Sequence, residues 1–224
     1  ISFNKNKLTK LSLQKIYTAA SSAEVVKENI VRNEPGRPLG GFYGYISDGV
    51  DPETGNLIYR DLNEDGKIST SDRTYIGDPN PDFTASLNLS FRYKNLDVSV
   101  FLNGVFGNDV IYNGYTYDPR VKIKRWTPDN PTNEYPRLNS TRSYLFSDYF
   151  VHDGSFVRLQ NINIGYTIPV RKAFIRSVRV FANIENAYTF TKFDGYDPEV
   201  GVDGIYWGGY PRLRKYAIGL DLKF

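Results

Sequence analysis

Residues 83–93 place an apolar side chain at every second position. Phe83, Ala85, Leu87, Leu89, Phe91 and Tyr93 share one side, while Thr84, Ser86, Asn88, Ser90 and Arg92 share the other. A period of two is the mark of a β-strand with one greasy and one polar face. After Lys94-Asn95 the pattern resumes with Leu96, Val98, Val100 and Leu102 opposite Asp97, Ser99 and Asn103, which predicts a hairpin with a very short turn. A third strand is expected from about Ser155 to Ile168, with a slip of parity. Val157 and Leu159 hold one phase and Ile162, Ile164, Tyr166 and Ile168 the other, so a bulge is predicted near Gln160-Asn161. Beyond a connection over 169–177, Val178, Val180, Ala182, Ile184, Tyr188 and Phe190 alternate with Arg179, Asn183 and Glu185. The last strand, from about Arg212, carries Tyr216, Ile218, Leu220, Leu222 and Phe224. Upstream, residues 1–6 read as the tail of a strand and 40–46 as the end of another, and 18–28 is open between helix and loop. No repeat of 20 to 50 residues is present, which excludes a solenoid.

Alternation alone does not say whether the greasy face meets a protein core or lipid. Three features favour lipid. The strands run to 11 residues or more, whereas sandwich strands average about five or six and a tilted membrane-spanning strand needs about 9–11. Along the apolar face aromatics occupy strand ends and aliphatics the middle, as in Phe83…Leu87, Leu89…Tyr93 and Tyr216…Leu220…Phe224, the layout of aromatic girdles flanking a hydrocarbon band. Short connections at 94–95 and 169–177 alternate with long ones at 47–82, 107–153 and 192–211, as periplasmic turns and outer loops do. The expected fold is all-β: the C-terminal segment, over residues 1–224, of a large antiparallel transmembrane β-barrel with long extracellular loops. A secreted calcium-dependent carbohydrate-binding β-sandwich and a small complete eight-stranded barrel are the alternatives. The first requires the alternating Leu and Val residues to be buried, the second that the first and last strands pair.

Composition sharpens this picture mainly by exclusion. The 18 Tyr and 14 Phe in 224 residues favour β structure, and no apolar run approaches the length of a membrane helix. A net charge of +3 without a basic block gives no footprint for nucleic acid. Without cysteine there is no disulfide, thiolate metal site or thiol nucleophile. The single histidine, His152, has no nucleophile elbow beside it.

Seven stretches carry a family resemblance: GGFYGY at 40–45, YRDLNEDGKISTSDRTYIGDPNPDF at 59–83, VFLNGVFGNDV at 100–110, RWTPDNP at 125–131, FVRLQNINIGYTIP at 156–169, FDGYDPEVG at 193–201, and the terminal strand. Together they resemble, in order, the C-terminal part of the SusC/RagA family of TonB-linked outer-membrane transporters. The resemblance implies a barrel of roughly 22 strands around a plug, an outer-membrane location, and import of an oligosaccharide or peptide substrate. It also implies a SusD-like surface lipoprotein as lid, energy delivered by TonB through a plug outside these residues, and no enzyme activity. The polar strand faces, with Thr84, Ser86, Asn88, Ser90, Asp97, Ser99, Asn103, Asn183, Glu185 and Asp221, suit a hydrated interior and not a dry core.

One stretch carries metal chemistry. Residues 61–72 match the calcium-loop pattern D-x-[DN]-x-[DN]-G at their first six positions. Asp61, Asn63 and Asp65 are the side-chain ligand candidates, Lys67 a carbonyl ligand, Ser69 a ligand directly or through water, and Asp72 the twelfth-position carboxylate where an EF-hand has Glu. The expected cofactor is calcium in a structural role, stiffening the 47–82 loop. The competing reading is a set of metal-free Asx turns, which Asp, Asn and Gly form unaided. Trp126, Tyr135, Tyr149, Tyr196, Tyr206 and Trp207 fall in outer loops, where ring faces are candidates for stacking on substrate or touching a lid. Asp194, Asp197, Glu199 and Asp203 share one loop and read as solvated acids.

Overall fold

The structure, a computed structural model, describes residues 1–12, 16–18, 29–112, 124–138, 144–172, 174–208 and 210–224. Its strands in chain order are β1 (Ser2–Phe3), β2 (Ile16–Thr18), β3 (Val31–Asn33), β4 (Phe42–Gly44), β5 (Ser47–Val50), β6 (Leu57–Tyr59), β7 (Thr74–Gly77), β8 (Phe83–Tyr93) and β9 (Leu96–Phe106). There follow β10 (Asp109–Ile111), β11 (Val151–Asp153), β12 (Phe156–Lys172), β13 (Ile175–Thr191) and β14 (Lys215–Lys223). Six of them form one antiparallel sheet in the order β1-β8-β9-β12-β13-β14. The remaining short strands make small sheets in the connections. Of the stretch left open between helix and loop, residues 19–28 lie outside the described residues.

The register of the large sheet keeps the two faces apart across every pair of neighbours. Leu87 faces Leu102, Leu89 faces Val100 and Phe91 faces Val98. Val98 and Val100 face Ile164 and Ile162, these face Ala182 and Ile184, and the stripe ends on Ile218 and Tyr216. That stripe is bare: Leu87 and Leu89 are each 53% exposed, Ile218 84% and Leu220 65%. The β-sandwich alternative required these side chains to be covered, and the structure overturns it. The small closed barrel fails as well, because β1 and β14 occupy opposite edges of the sheet.

Opposite the stripe, Ser86 faces Asn103, Ser90 faces Ser99 and Asn163 faces Asn183. Phe101, Phe156 and Phe181 interrupt this polar face, which is less uniformly polar than its expected residues suggest. Near the two short turns, Arg179 binds four strands together. Its guanidinium donates to Asp97 at 2.6 and 3.0 Å, to Asn163 at 3.0 Å and to Asp221 at 3.1 Å. Gly165 makes room for it, since a Cβ there would lie 2.3 Å from the guanidinium.

The bulge falls where the parity slip places it. β12 carries one extra residue against β9 between Leu159 and Asn161, and β13 carries a further one against β12, where Asn186 takes a left-handed backbone with φ of 52°. The next connection differs from expectation. Strand continues through Pro169, which sits opposite Ser177, to Lys172, and resumes at Ile175. A proline is accommodated there because Thr167 makes the last bond to the β9 side, to the Asn95 carbonyl at 2.8 Å, and the nitrogen of Pro169, two residues on, faces that same side beyond the end of β9, where no bond is required. Residues 40–46 do contain a strand, β4, but it pairs with β3 and β7 and not with the wall.

The buried core lies in the long connections. Phe42 from β4, Val50 from the first long connection, Ile111, Phe146 and Phe150 from the second and Ile205 from the third pack together, with Phe42 and Phe146 almost fully enclosed. The three long loops therefore fold as one body at one end of the sheet. The wall beneath it supplies almost nothing to that core.

Candidate functional site

The third long connection rests on the wall through charge. Arg158, on the polar face of β12, is 3% exposed. It donates to Asp197 at 2.6 Å, to Glu199 at 2.5 Å and to Thr189 on β13 at 3.0 Å, and its guanidinium lies 5.0 Å over the Phe156 ring. Arg212 reaches the other oxygen of Glu199 at 2.5 Å. Two arginines thus neutralise two carboxylates that the sequence presents only as solvated loop acids. The sequence signal was a charged residue at a polar-face position together with an acidic D-P-E run, but the two are 39 to 41 positions apart.

Above this network a cleft of ≈ 370 Å³ opens between Asp197, Glu199, Tyr206, Trp207, Tyr210 and Arg212. Trp207 is 56% exposed and is steered by its indole N–H, which donates to Asp203 at 2.9 Å. Tyr206 turns inward, with ring centroids 5.3 Å from Tyr112 and 5.5 Å from Phe193, and burial raises its phenol pKa. Tyr196 stands exposed nearby. The structure therefore brings Tyr206 and Trp207 together at one cleft.

Trp126 and Tyr135 lie elsewhere. The Trp126 indole donates to the Pro52 carbonyl at 2.8 Å and its ring covers Gly55, where a Cβ would sit 2.4 Å away. The Tyr135 carbonyl accepts from the Trp126 amide at 3.0 Å. Trp126 thereby joins the first and second long connections, while its bond to Tyr135 lies within the second. Tyr149 packs edge-on against Phe150 at 5.3 Å, and burial pushes its phenol far above the ordinary range.

The 61–72 loop has the expected turn chemistry. Gly66, at φ of 81°, donates its amide to the Asp61 carboxylate at 2.7 Å, Asp65 donates to Asn63 at 3.1 Å and Lys67 to Asp65 at 2.9 Å. Asp61 Oδ1 is enclosed and has no hydrogen-bond partner. Asp72 is fully buried and caps the short 3-10 turn Thr70–Asp72 in a box with Ser69. The Ser69 amide at 2.7 Å, joined by those of Leu62 and Asn63, holds its carboxyl below the usual carboxylate range. Among the described residues, no three acidic or histidine side chains converge around one point; Asp61, Asn63, Asp65 and the main chain are the available oxygens.

His152 belongs to β11, opposite Val110. It packs edge-on to Tyr112 at 5.5 Å, and burial depresses its pKa against the pull of Asp194.

A wide sheet with a bare apolar face, a polar face bearing buried ion pairs, and long co-folded loops at one end defines a segment of a membrane-spanning barrel wall. Comparison with known proteins agrees. The chain is 30% identical to TonB-dependent receptor P3 of Formosa agariphila over 99% of its length and 26% of that protein. It is 28% identical to TonB-dependent receptor SusC of Bacteroides thetaiotaomicron over 96% of its length and 20% of that protein. In fold it matches the RagAB peptide transporter with a TM-score of 0.82, at 24% identity, over 99% of the chain and 26% of that structure. No protein-family model matches. The chain corresponds to the C-terminal part of the barrel of SusC/RagA-type TonB-dependent receptors, which are outer-membrane proteins and not enzymes. It spans about a quarter or less of the length of these relatives.

Proposed function

We propose that the chain forms wall and outer loops of an outer-membrane importer of oligosaccharides or peptides, energised through TonB and a plug and closed by a SusD-like lipoprotein. The observation that carries this reading is the pairing of a lipid-ready outer face with a polar inner one over the same strands. The match in fold to the RagAB peptide transporter supports peptides; the exposed Trp207 and Tyr196 rings also suit sugars. The test is uptake of labelled oligosaccharides and peptides by cells with the gene deleted and restored. Uptake of one class should vanish on deletion, return on restoration and stop when the proton gradient is collapsed. Undiminished uptake of every probe in the deleted strain would refute the reading.

We also infer that the 61–72 loop takes a calcium ion through Asp61, Asn63, Asp65 and the Lys67 carbonyl, while Ser69 and Asp72, the other two residues of the candidate set, shape the loop by capping its 3-10 turn. The partnerless, enclosed Asp61 Oδ1 supports this. Its role is to stiffen the 47–82 connection. A site filled at 100 times its dissociation constant adds about 2.7 kcal/mol to the folded form. Calcium should therefore slow proteolysis within 47–82 and chelation restore it, with Asp61→Asn insensitive to both. Equal cleavage with calcium and with chelator would remove the ion from the account.

A further inference from the structure

The short-turn end of the wall carries a charge pattern that the transport reading leaves unused. On the apolar face, β8, β9, β12, β13 and β14 contribute no Asp or Glu among the described residues. Among the described side chains, two charges that border this face at the short-turn end are Lys94, in the turn after β8, and Arg176, which shares the parity of Val178 and Val180 and is exposed. The Lys94 ammonium lies 5.3 Å over the ring of Tyr93, itself 59% exposed on the apolar face. Phe174, 83% exposed, stands at the tip of the next turn beside Arg176, and Phe224 is bare at the end of the last strand. The acids at this end, Asp97 and Asp221, lie on the opposite face and both bind Arg179.

We propose that this rim binds the headgroups of anionic phospholipids in the periplasmic leaflet, with Lys94 and Arg176 as the phosphate-binding cations. The inference rests on the membrane-wall reading. Rings at Tyr93 and Phe174 fix the depth at the headgroup level, where amphipathic and aromatic side chains settle. Cations beside them are then placed against phosphate, with no carboxylate on that face to compete. The leaflet follows from the turns: short connections mark the periplasmic side, so the phosphate belongs to a phospholipid and not to a lipopolysaccharide of the outer leaflet.

Native mass spectrometry of the intact membrane protein tests this, using equal amounts of phosphatidylglycerol and phosphatidylethanolamine. Each cation near an anionic surface favours the charged lipid by roughly fivefold. The wild type should retain phosphatidylglycerol preferentially, Lys94→Gln with Arg176→Gln should bring the ratio close to one, and raised salt should narrow it in the wild type. The control Arg60→Gln, at the opposite end, should leave the ratio unchanged. Equal retention of both lipids by the wild type, or a ratio insensitive to the double substitution, overturns the proposal while leaving the membrane wall intact. Failure to retain either lipid would instead count against the wall itself.

Discussion

Replacing Leu89 by arginine should cost the folded protein about 2–4 kcal/mol in a bilayer, the range for a cation at the midplane of a barrel's lipid face. Leu89 sits near the middle of β8, 53% exposed and opposite Val100. Its neighbour Asn88 points to the other face, opposite Phe101, where a cation meets water. Asn88→Arg should therefore cost well under half as much. Reversible unfolding in liposomes gives both values, and the difference between adjacent residues is the informative quantity. Equal penalties at 88 and 89, or a larger one at 88, would mean that the apolar face does not contact acyl chains.

Arg158→Met should destabilise the third long connection by about 3–5 kcal/mol, because it leaves carboxylates in a poorly hydrated site without their main counter-charge. Asp197 is the more enclosed of the two, with its side chain 13% exposed, and keeps Arg212 only at 3.9 Å, so it should bear more of the loss; Glu199 keeps Arg212 at 2.5 Å. The pairing can be separated from the packing by adding Asp197→Asn. If the cost is an orphaned charge, the double variant should recover more than half of it. If the cost is lost contact between the arginine stem and Phe156, the second change should recover nothing. The loop's rate of proteolysis within residues 192–211 reports the same opening locally, since its other anchor, Ile205 in the loop core, remains.

What the sequence disclosed follows from the range of the forces involved. Strand parity is local, so the faces of β8 and β9 and the bulge at Gln160-Asn161 were legible residue by residue. The hairpin end after β12 lies beyond the expected one because Pro169 reads as a breaker, and only the register with β9 and β13 shows how the strand carries it. The loop core was not legible, since Val50, Phe146 and Ile205 come from three separate connections and none sits in a periodic run. Arg158 was hidden for the same reason, its partners lying in a distant acidic loop. Trp126 and Tyr135 read equally as contact aromatics and as loop packing, and the partner of the Trp126 indole, the Pro52 carbonyl 74 positions away, was not legible. For the 61–72 loop the ligand spacing was legible; the use of Asp72 as a cap for main-chain amides was not.

The central claim, that the alternating apolar residues face lipid, has a direct measurement. These 224 residues contain no cysteine, so single cysteines at each position from 86 to 91 can carry a spin label in the bilayer-embedded protein once any cysteine elsewhere in it is replaced. Positions 87, 89 and 91 should be accessible to oxygen and shielded from a water-soluble nickel complex, with 86, 88 and 90 showing the reverse. Matching accessibilities at odd and even positions, or the opposite phase, would contradict the account.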